Sequence, residues 1–398
     1  MSIAPFLDVK ATDFSIRSEI VMAAREKHWY AKTPYGVAIL RYEDANALQN
    51  DKRLHQGTRR WPQHNGIESE LLVPWWNEMM LSLEGQDHIR IRKLANPAFS
   101  PRIIEALTPQ FAKLANDLID DFCERGSVEF MSEFAEPYSA KVITLLLGLP
   151  NELWHEIADL ATKLGYVFSV TFKDDLPEIE DGLRGILRIT QHLIDTYQDL
   201  DSDSFISTMV QASVDGQKIT ERELLVMLSF IIFAGFDTTR NQIGLGMQTF
   251  SKNYQQWKLL GEHPEFARTA VEEVMRLNPT ITWFTREAIE DFEYKDLHIE
   301  KGMTLQFYNV QIGSDPKKYE PIEMDITTAR APHFGFGGGM HHCLGHYVAR
   351  IDMQEALKAL AKRIPDFKIE AGAHFLPDSG NTGPIELPLS FTPSARYS

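Results

Sequence analysis

Three observations predict a mainly α-helical chain with minor β-structure near both ends. From about Asp87 to Gln311, apolar residues recur at three- and four-residue spacing. Within that region, about Thr220 to Phe250 reads as one helix of about 30 residues, ~45 Å long and able to cross a whole domain. Strand-like runs and Pro-rich turns are confined to the beginning of the chain and to roughly its last 120 residues.

The first element is a short helical stretch near Ser15 to Lys27, followed by the β-like run from Tyr35 to Tyr42. An amphipathic helix is expected at Pro109 to Phe122. Thr108 is its N-cap, Pro109 its first residue and Gly126 its stop. Phe111, Leu114, Ala115, Leu118, Ile119 and Phe122 share one face. In the long helix, Thr220-x-x-Glu223 reads as a capping box. Leu224 to Ala234 is apolar nearly all round, which marks a buried helix. Eleven apolar residues followed by Asp237 are too few for a membrane span. A last helix is expected from Leu344 to Arg363.

Composition narrows the function. The chain has 398 residues, 43% of them hydrophobic, and carries 40 basic against 56 acidic residues for a formal charge of −16. Such acidity disfavours nucleic acid and anionic membranes as partners. Two cysteines far apart, Cys123 and Cys343, argue against a disulfide scaffold and fit a reducing compartment. The N-terminal residues carry no long apolar run, so neither a signal peptide nor an anchor helix is expected, and the expected location is cytoplasmic. No repeat or linker divides the chain, which is expected to form one domain over residues 1–398.

The most informative segment is Phe334-Gly-Phe-Gly-Gly-Gly-Met-His-His-Cys343-Leu-Gly345. Its glycines permit positive φ and close approach of backbone to a flat ligand. Cys343 then falls at a helix start, where the partial positive charge and free N–H groups favour a thiolate. Zinc is a poorer fit, because the adjacent His341 and His342 point in different directions and no CxxC pair is present. A phosphate loop would need a following GK[ST], which is missing. Cys123 reads as a small buried hydrophobe.

The run Phe336-Gly-x-Gly339-x-His341-x-Cys343-Leu-Gly345 resembles the cysteine signature of the cytochromes P-450 at every defining position. The resemblance covers about residue 35 to the C-terminus. It implies a cytochrome P-450 fold, with a long central helix over haem b (iron protoporphyrin IX) and small sheets near the ends. It also implies that Cys343 is the axial iron ligand, that Phe336 packs near the sulfur and that His341 meets a haem propionate. Three further matches follow the expected order. Ala234-Gly-Phe-Asp237-Thr238 is similar to the oxygen-activation motif, making Asp237 and Thr238 the catalytic proton relay, beside Gly235, which weakens the helical ladder into a local kink or leaves space beside it. Glu273-x-x-Arg276 resembles the family's buried structural ion pair, with a propionate-binding arginine expected at Arg286. His88-x-x-x-Arg92 lies on one helix face and resembles the propionate-binding helix. Asp315-Pro316 through Met324-Asp-Ile resembles the meander before the haem loop.

The implied activity is monooxygenation: one oxygen atom from O2 enters a hydrophobic small molecule by hydroxylation or epoxidation. No flavin or iron–sulfur pattern is visible, so electrons come from separate partners, a ferredoxin with its reductase. Arg90, Lys93 and Arg102 are candidate docking charges. By analogy, substrate contacts fall on Phe230, Phe233, Ala234, Ile281, Thr282 and Trp283, with more from Gln56 to Met80, Tyr166 to Phe172 and the turn Asn381 to Gly383. Trp61, Trp75 and Trp76 are included, and an aromatic lining suits an apolar molecule. A peroxide-using oxygenase and an enzyme of oxidative coupling or demethylation share the scaffold. A non-catalytic haem sensor would need the thiolate without the acid–threonine pair.

Overall fold

In the computed structural model the described residues are 3–11, 13–169, 171–197, 205–214, 218–378 and 380–397. Helices dominate, and the long one, Glu221–Lys252, runs through the main core with 22 buried residues. Its N-terminus carries the expected box: the Thr220 side chain accepts from the Glu223 backbone, and the Glu223 side chain accepts from the Thr220 backbone. Neighbouring helices Glu136–Leu147, Trp154–Gly165 and Leu176–Tyr197 pack against it, and His346–Arg363 lies beside Pro101–Asp120. Among the described residues no helix is long and apolar enough to cross a membrane.

The largest sheet has five strands in the order Tyr30–Thr33, Gly36–Ile39, Thr304–Tyr308, Trp283–Ala288 and Leu54–Gln56. Gly36–Ile39 pairs in parallel with Thr304–Tyr308, and the other pairings are antiparallel. The register sets Gln56 opposite Arg286. A hairpin, His374–Phe375 with Pro384–Glu386, brings its turn back toward the long helix.

Several expected boundaries move. The Pro109 helix begins earlier, at Pro101 behind Ser100, and Pro109 lies inside it. Ser100-Pro101 is an equally good start signal. The earlier start adds Ile104 to the buried face of Phe111, Ala115, Leu118 and Ile119. Thr108 is therefore no cap; its hydroxyl donates to the Ile104 carbonyl at 3.0 Å. The helix stops at Asp120, before Gly126, which takes a φ of +71° ahead of the strand Ser127–Glu129. The first helix is shorter than expected, Glu19–Lys27, and the run after Tyr35 is half of a hairpin, Gly36–Ile39. The last helix starts at His346 rather than Leu344, which leaves Cys343 on a turn ahead of it.

Candidate active site

Beneath the long helix lies an apolar cavity of about 320 Å³, lined on one side by Phe230, Phe233, Ala234 and Thr238 and on the other by Phe336, Gly337, Gly338 and Cys343. Gly337 and Gly339 take φ of +67° and +66°, so the loop turns as its glycines suggest. A side chain at Gly338 would run into the Gln49 amide. The Phe336 carbonyl accepts from the Cys343 N–H at 2.9 Å, which ties the loop off beside the sulfur. Arg350 lies over the Phe336 ring, 4.3 Å from its centroid. Burial pushes the Cys343 thiol up, while the Gly345 N–H and the charges of Arg92 and Arg350 pull it down. The turn alone therefore does not make the thiolate, and a bound cation would have to complete the task.

Basic and imidazole groups wall one edge. His88 is 2% exposed, and neither of its ring nitrogens has a partner. Its ring packs 4.1 Å from that of His341. Burial, reinforced by the charges of His341 and Arg92, holds His88 neutral, with a pKa of about 4. Arg286 is buried and donates to the Gln56 side chain at 3.0 Å and the Gly338 carbonyl at 2.8 Å. Burial brings it down to about 10. Arg92 donates to the His342 carbonyl. His341 pairs with Glu84 at 3.1 Å. Burial alone would raise Glu84, yet His341 and the Gln56 N–H bring its carboxyl to about 2. This donor set suits a haem. The chain contributes a soft sulfur facing an apolar cavity, orphaned imidazole nitrogens, and two guanidinium groups at the edge where carboxylates would dock. Among the described residues no cluster of three metal-ligating side chains forms.

On the long helix, Asp237 is buried and Thr238 half-buried facing the cavity. The Thr238 hydroxyl donates to the Ala234 carbonyl at 2.8 Å. The helix is unbroken from Glu221 to Lys252. Gly235 leaves the expected space beside it, which Ile143 fills: its Cδ1 would stand 2.6 Å from an added Cβ. Glu273 and Arg276 form the buried pair expected of them.

Of the expected pocket residues, Phe230, Phe233, Ala234, Ile281 and Trp283 line the cavity, and Thr282 does not. Thr282 is 0% exposed, its N–H and hydroxyl reach the Gly380 carbonyl, and its own carbonyl accepts from Asn309. Trp61, Trp76 and Phe168 line the cavity. Trp75 packs in the core with its indole N–H on the Ser229 hydroxyl, and Phe172 is core as well. Val170 lies outside the described residues. Sequence reasoning missed Glu84 as the partner of His341 and Asn381 as the partner of Asp237. Each pair is separated by more than 140 residues, and no local pattern links its members.

Residues 256–371 match the cytochrome P-450 family model. The chain is 36% identical over 392 residues to the luteothin monooxygenase of Streptomyces thioluteus, covering 97% of this chain and 96% of that protein. It is 27% identical over 368 residues to the mycinamicin IV hydroxylase/epoxidase of Micromonospora griseorubida, covering 90% and 91%. Among solved structures it resembles the cytochrome PksS of the bacillaene polyketide synthase of Bacillus subtilis, with a TM-score of 0.85 and 28% identity over 96% of this chain and 99% of that one. The fold and the thiol-floored cavity define a haem-thiolate oxygenase. The chain belongs to the cytochrome P-450 family and is a monooxygenase.

Proposed function

We propose that this monooxygenase oxidises an apolar polyketide-type molecule, with haem b held through Cys343. The observation that carries this reading is the Cys343 thiol opening onto an aromatic-lined cavity whose edge is walled by His88, Arg92 and Arg286. Haem, when bound, supplies dioxygen binding and oxygen transfer. Arg92, Arg286, His88 and His341 would hold its propionates. Burial works against the thiolate form of Cys343, and the Gly345 N–H and the nearby guanidinium charges work for it. Trp61, Trp76, Phe168 and Trp283 exclude water and seat the substrate by shape and stacking. Asp237 and Thr238 hold and pass protons at the long helix.

The polyketide class rests on the lining and on the names of relatives: a luteothin monooxygenase, a mycinamicin hydroxylase/epoxidase and a polyketide-synthase cytochrome. Residues 1–398 act as one cytoplasmic domain, receiving electrons from a ferredoxin and its reductase. Lys93 and Arg102 are exposed and suit that docking, whereas Arg90 is engaged by Glu223 and Asp87. The test is the spectrum of the reduced protein under carbon monoxide. The native chain gives a strongly red-shifted Soret band, and Cys343→Ala loses it. Porphyrin-free native protein, or an unchanged band in the variant, overturns the reading.

A further inference from the structure

The two oxygens of the buried Asp237 carboxyl have different surroundings. Oδ1 faces Arg240 at 3.6 Å, and Arg240 reaches Glu136 at 3.1 Å. Oδ2 accepts from the side-chain amides of Asn241, at 3.4 Å, and Asn381. Asn241 and Arg240 belong to the same helix as Asp237. Among the described residues, the donor from elsewhere is Asn381, in the turn of the hairpin His374–Phe375 and Pro384–Glu386.

That turn is itself held. The Asn381 Oδ1 lies 2.8 Å from the Thr280 hydroxyl, which also lies 2.6 Å from the Thr382 carbonyl. The Thr280 hydroxyl has one proton for these two oxygens, and the Asn381 Nδ2 faces the Asp237 carboxyl. The Thr382 N–H donates to the Thr280 carbonyl at 2.9 Å. Gly380, with a φ of +67°, presses so closely on Phe168 that an added Cβ would stand 2.3 Å from its carbonyl oxygen. Gly380, Asn381 and Phe168 all line the substrate cavity.

We propose that Asn381 is a positioning residue for Asp237: from a turn that walls the substrate cavity it fixes the direction of the carboxyl, so that the seating of this turn governs proton delivery. This rests on the reading of Asp237 as a proton carrier. An amide donating to a carboxylate makes a short, charge-assisted bond, whereas Asn241 and Arg240 stand too far off to replace it. Without Asn381 the carboxyl is free to turn toward Arg240 and away from the cavity. The same bond favours the ionised form, against the burial that raises Asp237. Arg240, Glu136 and Tyr166 are the other titratable groups facing it.

The experiment uses the resting holoenzyme. The carbonyl stretch of the protonated Asp237 carboxyl, assigned by its loss in Asp237→Asn, is titrated by infrared spectroscopy in Asn381→Leu and Thr280→Val. The second variant keeps the amide and removes its seat. In both, the titration midpoint should rise, by roughly one pH unit for Asn381→Leu. Product formed per reducing equivalent should fall several-fold, with peroxide released in its place. An unmoved midpoint in either folded variant overturns the proposal. Full coupling in Asp237→Asn would instead remove the proton-carrier reading, while the infrared titration would still decide whether Asn381 orients the carboxyl.

Discussion

Arg276 grips Glu273 through two bonds, Nε to Oε1 at 2.7 Å and Nη2 to Oε2 at 2.9 Å, with both side chains 1% exposed. Two further donors reach the carbonyls of Gly313 and Ile322, both at 2.8 Å, and Glu273 accepts from the Asp325 N–H. The pair thus pins the meander that leads into the cysteine loop. Removing one member strands a buried charge. Arg276→Ala is expected to lower stability by about 3–5 kcal/mol, read as a drop in the denaturant midpoint and in haem content. Arg276→Lys should recover little, since an ammonium lacks the fork that meets both oxygens. A variant that folds with native stability and a full haem complement would refute this.

His88 offers two buried ring nitrogens with no protein partner. A buried polar group left unpaired costs free energy, so this ring burdens the bare chain. His88→Leu should fold as well as the native chain or better, yet lose haem roughly tenfold faster or more to an apo-globin acceptor. Equal transfer rates would show that the ring does not hold the cofactor.

What could be read from the sequence was local. The capping box at Thr220 and Glu223, the His88–Arg92 helical turn, the Glu273–Arg276 pair and the glycine-flanked Cys343 each lie within a few residues, where spacing dictates geometry. The misplaced Thr282 was also within reach of local reasoning. In extended backbone, successive side chains alternate, so Ile281 and Trp283 share a face and the residue between them turns away. Glu84–His341 and Asp237–Asn381 were out of reach, since chain segments far apart meet there only after the core has formed. The early start at Pro101 was a choice between two good start signals, decided by the burial of Ile104.

Asp352 lines the cavity, its Oδ1 is buried without a hydrogen-bond partner, and burial pushes its carboxyl well above the usual range. The folded protein therefore keeps this proton to a higher pH than the unfolded chain, which releases it near about 4. Across that window unfolding releases a proton, and stability falls as pH rises. Asp352→Asn lacks this slope. Its unfolding midpoint should pull ahead of the native one as pH climbs from about 4 toward neutrality, by on the order of 1–3 kcal/mol. Two curves that run parallel across this range would contradict the assignment.

Gly165 and Gly182 separate a placement effect from a packing effect. Gly165 ends the helix Trp154–Gly165, and an added Cβ would stand 3.0 Å from Asp237 Oδ1, 3.1 Å from Cγ and 3.2 Å from Oδ2. Its φ of −58° suits any residue, and alanine favours a helix over glycine by up to about 1 kcal/mol. Gly165→Ala should therefore hold stability within about 1 kcal/mol while pushing the carboxyl by a few tenths of an ångström off its Asn381 bond. Gly182 on the neighbouring helix meets backbone instead: its added Cβ would lie 2.6 Å from the Leu160 carbonyl oxygen and 2.9 Å from the Leu164 nitrogen. Backbone cannot step aside as a side-chain tip can, so Gly182→Ala should cost about 1–3 kcal/mol by overpacking. The two variants are then expected to part in opposite directions. Gly165→Ala loses several-fold in product per reducing equivalent at native stability, and Gly182→Ala loses stability at native coupling. If Gly165→Ala couples as well as the native enzyme, the direction of the Asp237 carboxyl does not limit proton delivery.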